Sequence, residues 1–163
     1  MAKAAFEKTN VMRLLEQKKI PYTPHAYPHS DAPVDGVTAA QMIGMPPSRV
    51  FKTLVARGAS KTPYVFIIPV DRELDLKKAA RAVGEKSVAM IHASEITALT
   101  GYVRGGCSPV GMKKLYRTVL DVSAAAQETI VVSAGKIGFQ VELQPAALLA
   151  LVRGDTAPLT EEE

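Results

Sequence analysis

Two runs of strand-forming residues, 50–56 and 64–70, constrain the fold of this chain more than any other feature. Both are rich in β-branched and aromatic side chains. The residues between them, 57–63, include Gly58, Ser60 and Pro63, so the two runs read as a hairpin with a longish turn. Strand alternation puts Val50, Lys52 and Leu54 on one face and Phe51, Thr53 and Val55 on the other. A lysine therefore sits inside an apolar strand.

Helical and extended segments surround this hairpin. Phe6, Val11, Leu14 and Leu15 share one helical face over residues 6–19, with Thr9 or Asn10 as the cap and Ile20-Pro21 as the stop. An extended piece over 22–27 leads into a loop rich in Pro, His and Asp. Residues 38–44 predict a short helix ended by Gly44, and 75–83 a basic helix closed by Gly84. A strand over 88–91 and a helix over 94–99, capped by Ser94, come next. Beyond a glycine-dense loop at 101–111, residues 118–122, 129–132 and 139–143 read as strands. Residues 145–152 form the last helix, with Pro145 in its first turn.

This order lacks strict βαβ alternation, and no repeat or linker divides it. The expected fold is α+β, a single domain with a curved, mixed, mostly antiparallel sheet, partly barrel-like, flanked by helices. The domain is expected to span 1–157, with residues 158–163 as an acidic tail that frays at Glu161, Glu162 and Glu163.

At 163 residues the chain can bury a core without staples. Its single cysteine, Cys107, excludes an intramolecular disulfide, and no Cys/His cluster exists to hold zinc. The N-terminus has early charges and no apolar core of a secretory signal, and no apolar run is long enough for a bilayer. These features assign the chain to the cytoplasm, with no membrane partner. A formal charge of +4 suits a polyanion touched at a few phosphates, and suits many other proteins equally.

Three stretches join flexible backbone or a strand to polar groups. Lys52 is either an edge residue whose ammonium reaches water or a pocket residue that meets a carbonyl or phosphate. The loop Gly105-Gly106-Cys107-Ser108-Pro109-Val110-Gly111 is either a structural turn or a cradle of N–H donors for an oxyanion; it lacks Walker spacing. Ser133-Ala134-Gly135-Lys136 is either a plain turn or a further wall of a site. No standard nucleophilic kit accompanies them: Cys107 reads as a small hydrophobe, and Ser108 and Ser133 lack a GxSxG context. His25 and His29, each two residues from Tyr27, could bind metal only with a third ligand that the sequence does not supply.

In this order and spacing, five pieces resemble the YbaK/EbsC family of aminoacyl-tRNA deacylases. They are Val50-Phe51-Lys52-Thr53-Leu54, Leu74-Asp75-Leu76-Lys77-Lys78-Ala79-Ala80, Thr100-Gly101-Tyr102, the glycine loop from Gly105 to Gly111, and Val132-Ser133-Ala134-Gly135-Lys136. The resemblance runs from the first helix through Leu143. It implies editing of a wrong amino acid on transfer RNA, chiefly cysteine on prolyl transfer RNA, with no metal or cofactor and no DNA partner.

It also implies roles. Lys52 matches the essential lysine, and backbone N–H groups of Gly105, Gly106 and Gly135 match the oxyanion cradle. Tyr27, Thr53, Ser108, Pro109, Ser133 and Gln140 match the substrate pocket. The cysteinyl thiolate would attack its own ester, so the protein needs no nucleophile. Lys77, Lys78, Arg81, Lys113, Lys114 and Arg117 could meet acceptor-stem phosphates or simply be solvated. Prolyl-tRNA synthetase is a candidate docking partner. The chain departs from the family pattern at Asp35, where relatives carry an aromatic residue, at Gln140, where a relative has aspartate, and at Cys107, where they have an aliphatic side chain. A deacylase for alanine or another small amino acid using water, a non-catalytic RNA-binding module, and a small-molecule pocket protein are the competing readings.

Overall fold

Thr9 starts the first helix. Its hydroxyl accepts a hydrogen bond from the Met12 N–H at 3.3 Å, and α1 runs Asn10–Gln17 with Val11, Met12 and Leu15 buried. The computed structural model describes residues 8–28 and 34–161, so the predicted start of this helix at Phe6 lies outside the described residues, as does His29. Strand β1 is Thr23–Ala26 and helix α2 is Gly36–Met42, capped by the Asp35 carboxylate and followed by Gly44 at φ 74°.

The hairpin forms between β2, Phe51–Gly58, and β3, Pro63–Pro69, in antiparallel register from Phe51↔Pro69 to Arg57↔Pro63. Helix α3, Leu76–Val83, begins at Asp75, whose carboxylate accepts from the Lys77 and Lys78 N–H groups, and ends at Gly84 at φ 73°. Strand β4 is Val88–Met90 and helix α4 is Ala93–Thr100. His92, not Ser94, holds the cap position of α4; its N–H donates to Glu95 Oε2 at 3.4 Å, and Ser94 is already inside the helix. Strands β5, Arg117–Asp121, β6, Ile130–Lys136, and β7, Phe139–Leu143, precede helix α5, Pro145–Val152, and strand β8, Asp155–Ala157.

The architecture is α+β, but the expected single curved sheet is two sheets. One has the order β1-β7-β6 and is antiparallel throughout. The other has the order β4-β2-β3-β5-β8, with parallel pairing at β3–β5 and β5–β8. An isolated parallel bridge between Val50 and Val131 joins them. Neither sheet closes on itself among the described residues.

Three apolar clusters follow from this arrangement. The largest packs Met12, Leu15, Phe51, Ile67, Leu120, Val132, Val141 and Leu148 together, uniting α1, α5 and both sheets. A second sets Phe66, Ile68 and Val119 of the larger sheet against Ala79, Ala80 and Val83 of α3. A third places Ala40 of α2 over Val50 and Val131, where the sheets meet. Burial at these positions is nearly complete, which makes them the main source of stability.

Residues 159–161 are docked rather than frayed. Leu159 is fully buried, its N–H donates to Asp121 Oδ1 at 2.9 Å, and its carbonyl accepts from the Asp75 N–H at 2.8 Å. The Glu161 N–H donates to the Glu73 carbonyl at 3.0 Å, so packing continues past the expected boundary at residue 157. The buried Leu159 side chain holds this stretch in place, while Glu162 and Glu163 lie outside the described residues.

Candidate active site

A cleft of about 720 Å³ opens where the two sheets meet, a volume in the range of small-molecule sites. Its position follows from incomplete pairing. Strand β4 pairs only with Ala56–Gly58 of β2, so among the described residues the edge of β2 ahead of that stretch has no strand beside it. Lys52, Thr53 and Leu54 line the cleft along that edge, while Tyr27, Ser133 and Gln140 reach it from the smaller sheet. The start of α2 supplies Asp35, and β4 with α4 supplies Met90 and Ile96.

Lys52 is half-buried at 31 % side-chain exposure, and its Nζ lies 3.8 Å from Glu73 Oε2. Glu73 is itself 79 % exposed, so the pair is weak and leaves most of the ammonium's bonding capacity open to the cleft. Thr53 Oγ1 and Gln140 Oε1 are buried and have no hydrogen-bond partner among the described residues. Buried polar atoms are normally paired, because an unpaired one costs about 1–3 kcal/mol. Two such atoms in one cleft, beside a lysine, mark it as a place where a polar ligand completes the bonding.

The glycines divide differently from expectation. Gly105 lines the cleft at φ 86°, a conformation that favours glycine. The Gly106 N–H already donates to the Val103 carbonyl at 3.0 Å, and the residue backs onto the Lys136–Ile137 main chain. The Gly135 N–H donates to Ser133 Oγ at 3.1 Å, and at φ 94° the residue packs against Tyr102 and Val11. Neither Gly106 nor Gly135 offers a free donor, which corrects the three-glycine cradle. Ser133 lines the cleft with its hydroxyl engaged by this turn.

Ser108 and Pro109 also fall elsewhere. Ser108 is fully buried and its hydroxyl accepts from the Val110 N–H at 3.2 Å, while Pro109 lines a separate small groove beside α5. They shape the loop and do not face the main cleft.

Among the described residues no nucleophile is activated in the cleft. Burial pushes the Cys107 thiol up to about 11, partly opposed by a hydrogen bond with Thr100. Of the described histidines, His25 pairs with Glu142 at 2.9 Å and His92 caps α4; neither lines the cleft. No group of three or more metal-ligating side chains occurs among the described residues. Asp35, the departure noted in the sequence, faces the cleft, but its carboxylate is taken by the Thr38 N–H at 2.8 Å and hydroxyl at 3.0 Å, which hold it below the ordinary range.

The six basic residues singled out for phosphates all lie away from the cleft. Arg117 donates to the Ala82 carbonyl and Asp155, Lys113 to the Ala98 carbonyl, and Lys78 to the Thr160 carbonyl. Lys77, Arg81 and Lys114 are exposed. The cation that the sequence reading missed is Arg104, which lines the cleft next to Gly105. Its only signal in the sequence was its place beside the glycine loop.

Comparison with known proteins agrees with this geometry. Residues 32–151 match the model of the aminoacyl-tRNA editing domain. An Enterococcus faecalis protein, EbsC, named for a proposed Cys-tRNA(Pro)/Cys-tRNA(Cys) deacylase activity, is 46% identical over 157 residues, covering 96% of each chain. A proline–tRNA ligase of Burkholderia orbicola is 26% identical over 63% of this chain and 18% of its own length. A crystal structure described as a proposed trans-editing enzyme for prolyl-tRNA synthetase superposes with a TM-score of 0.80 at 28% identity, over 93% of this chain and 95% of that one.

Proposed function

The chain belongs to the aminoacyl-tRNA editing domain family and is an aminoacyl-tRNA deacylase, and from that premise we propose that it removes cysteine from mischarged Cys-tRNA(Pro) with the substrate's own thiol as nucleophile. The observation that carries this reading is the pairing of an unsatisfied polar cleft with the lack of an activated protein nucleophile among the described residues.

A free cysteine thiol ionises near pH 8.5, so a fraction is thiolate at neutrality, whereas a serine hydroxyl stays protonated. Selection by size is poor at this scale, since one methylene is worth only about 1–3 kcal/mol. A chemical filter through sulfur is sharper. The thiolate sulfur forms a bond to its own ester carbonyl carbon, and the ester C–O bond breaks. The ribose oxygen leaves and takes up a proton, and water then opens the cyclic thioester to free cysteine.

The protein's part is positioning and charge. In this reading Lys52 meets the carbonyl oxygen as it gains charge, and Gly105 supplies the backbone donor, since the Gly106 and Gly135 N–H groups are engaged elsewhere. Gln140 Oε1 and Thr53 Oγ1 are acceptors for the cysteine ammonium or a ribose hydroxyl, and Tyr27 and Ser133 form the adjoining wall. Lys77, Arg81 and Lys114 stay available for acceptor-stem phosphates outside the cleft, and prolyl-tRNA synthetase is the natural docking platform for an enzyme working on its errors. Such an enzyme acts in the cytoplasm.

Release of labelled cysteine from Cys-tRNA(Pro) tests the reading, with Ala-tRNA(Pro) in parallel. Rapid loss of cysteine alone supports it. Equal loss of alanine would replace the thiol by water as nucleophile, and no release above the spontaneous rate would leave a binding module.

A further inference from the structure

We propose that Arg104 holds the 5′-phosphate of the terminal nucleotide, the one whose ribose carries the aminoacyl ester; this rests on the deacylase reading above. Only three charged side chains line the cleft among the described residues: Lys52, Asp35 and Arg104. The Asp35 carboxylate is occupied by Thr38, and Lys52 lies beside Glu73. Arg104 is exposed and makes no hydrogen bond or ion pair among the described residues. Its guanidinium is therefore an uncommitted, exposed cation lining a cleft that also holds the unpaired Thr53 and Gln140 oxygens.

Position and chemistry agree on the ligand. Arg104 adjoins Gly105 in the loop, and both residues line the cleft. The ester sits on the ribose of the last nucleotide, and the phosphate attached to that ribose must enter the cleft mouth with it. A planar guanidinium presents paired N–H donors that match two phosphate oxygens, which an ammonium cannot do. The exposure of Arg104 also means that it can meet the phosphate without first breaking an internal bond.

Two small esters isolate this contact: cysteine esterified to the ribose of adenosine, and the same compound bearing a 5′-monophosphate. The wild type should favour the phosphorylated ester by about tenfold in kcat/KM, a charge-assisted hydrogen bond's worth, with the difference in KM. Arg104→Ala should bring that ratio close to one, and Arg104→Lys should retain part of it. An undiminished preference in Arg104→Ala, or no preference in the wild type, overturns the assignment. Should the wild type cleave neither ester, the deacylase reading fails instead. Calorimetric binding of AMP against adenosine to the wild type and Arg104→Ala then decides the phosphate contact alone: a preference for AMP that disappears with the arginine upholds it, and any other result overturns it.

Discussion

Lys52 on β2 and Glu73, which follows β3, approach to 3.8 Å across the rim of the cleft, close enough to orient the ammonium and too far to neutralise it. The pair is exposed on the glutamate side and contributes at most about 1 kcal/mol to stability. Lys52→Ala should therefore melt within about 4 °C of the wild type. Its deacylation rate should fall by about a hundredfold or more, as when a principal charge stabiliser is removed. Calorimetry and cysteine release on the same preparations check both halves.

Thr53→Val should make the protein more stable and less active. The substitution keeps the shape of the side chain and removes a buried hydroxyl oxygen that has no partner among the described residues. A gain of about 1 kcal/mol is expected, seen as a melting temperature higher by roughly 2–4 °C. The rate should drop, because the lost acceptor is one that substrate completes. A loss of stability would mean that the hydroxyl is satisfied in the free protein.

Cys107 should behave as an inert thiol. With its ionisation pushed up to about 11, the neutral form dominates below pH 9, and iodoacetamide should label it slowly at pH 7 and progressively faster above pH 9. The sign of the linkage follows: burial favours the thiol, so this contribution to stability is full below the unfolded value near 9 and is lost as pH rises toward 11. Mass spectrometry of labelling against pH provides the profile.

Leu159→Ala should cost about 2–5 kcal/mol, as for other fully buried leucines. Truncation after Ala157 should do at least as much damage, since it also removes the bonds from residue 159 to Asp121 and Asp75. A truncated chain with an unchanged urea midpoint would contradict the docked C-terminus.

Acid should weaken the protein in part through Glu142. Its carboxylate accepts from the Thr129 hydroxyl and then from His25, which lower its ionisation below the ordinary 4.5. A depressed carboxylate contributes stability above its unfolded value, and that contribution disappears as pH falls through the depressed one. Thr129→Val should thus be less stable than the wild type at pH 7, with the gap closing below about pH 4.5. Urea midpoints of the two proteins across pH 3–7 measure it.

The legible parts of this chain are those governed by local chemistry. Asp75 and Gly84 bracket α3 because a carboxylate cap and a left-handed stop act within one turn. A lone charge in an apolar alternation singles out Lys52 but leaves an edge residue and a pocket residue both open; the fold puts it in the cleft lining. What stayed hidden depends on distant partners. That the Gly106 and Gly135 N–H groups are taken depends on Val103 and on the rotamer of Ser133. β8 has three residues and no pattern of its own; its reason for being a strand is β5. Arg104 looked like any exposed arginine until the loop folded beside the cleft. The division into two sheets, with β4 stopping short on β2, is likewise a tertiary outcome.

The bridge between Val50 and Val131 sets the spacing between the two walls of the cleft. Lys52 stands two residues from one end of it, and Gln140, across from Ser133, hangs from the strand on the other side. Their spacing is thus calibrated by one joint and by the small, fully buried side chain of Ala40 packed over it. A bulkier residue at position 40 would shift Lys52 and Gln140 relative to each other without changing either side chain.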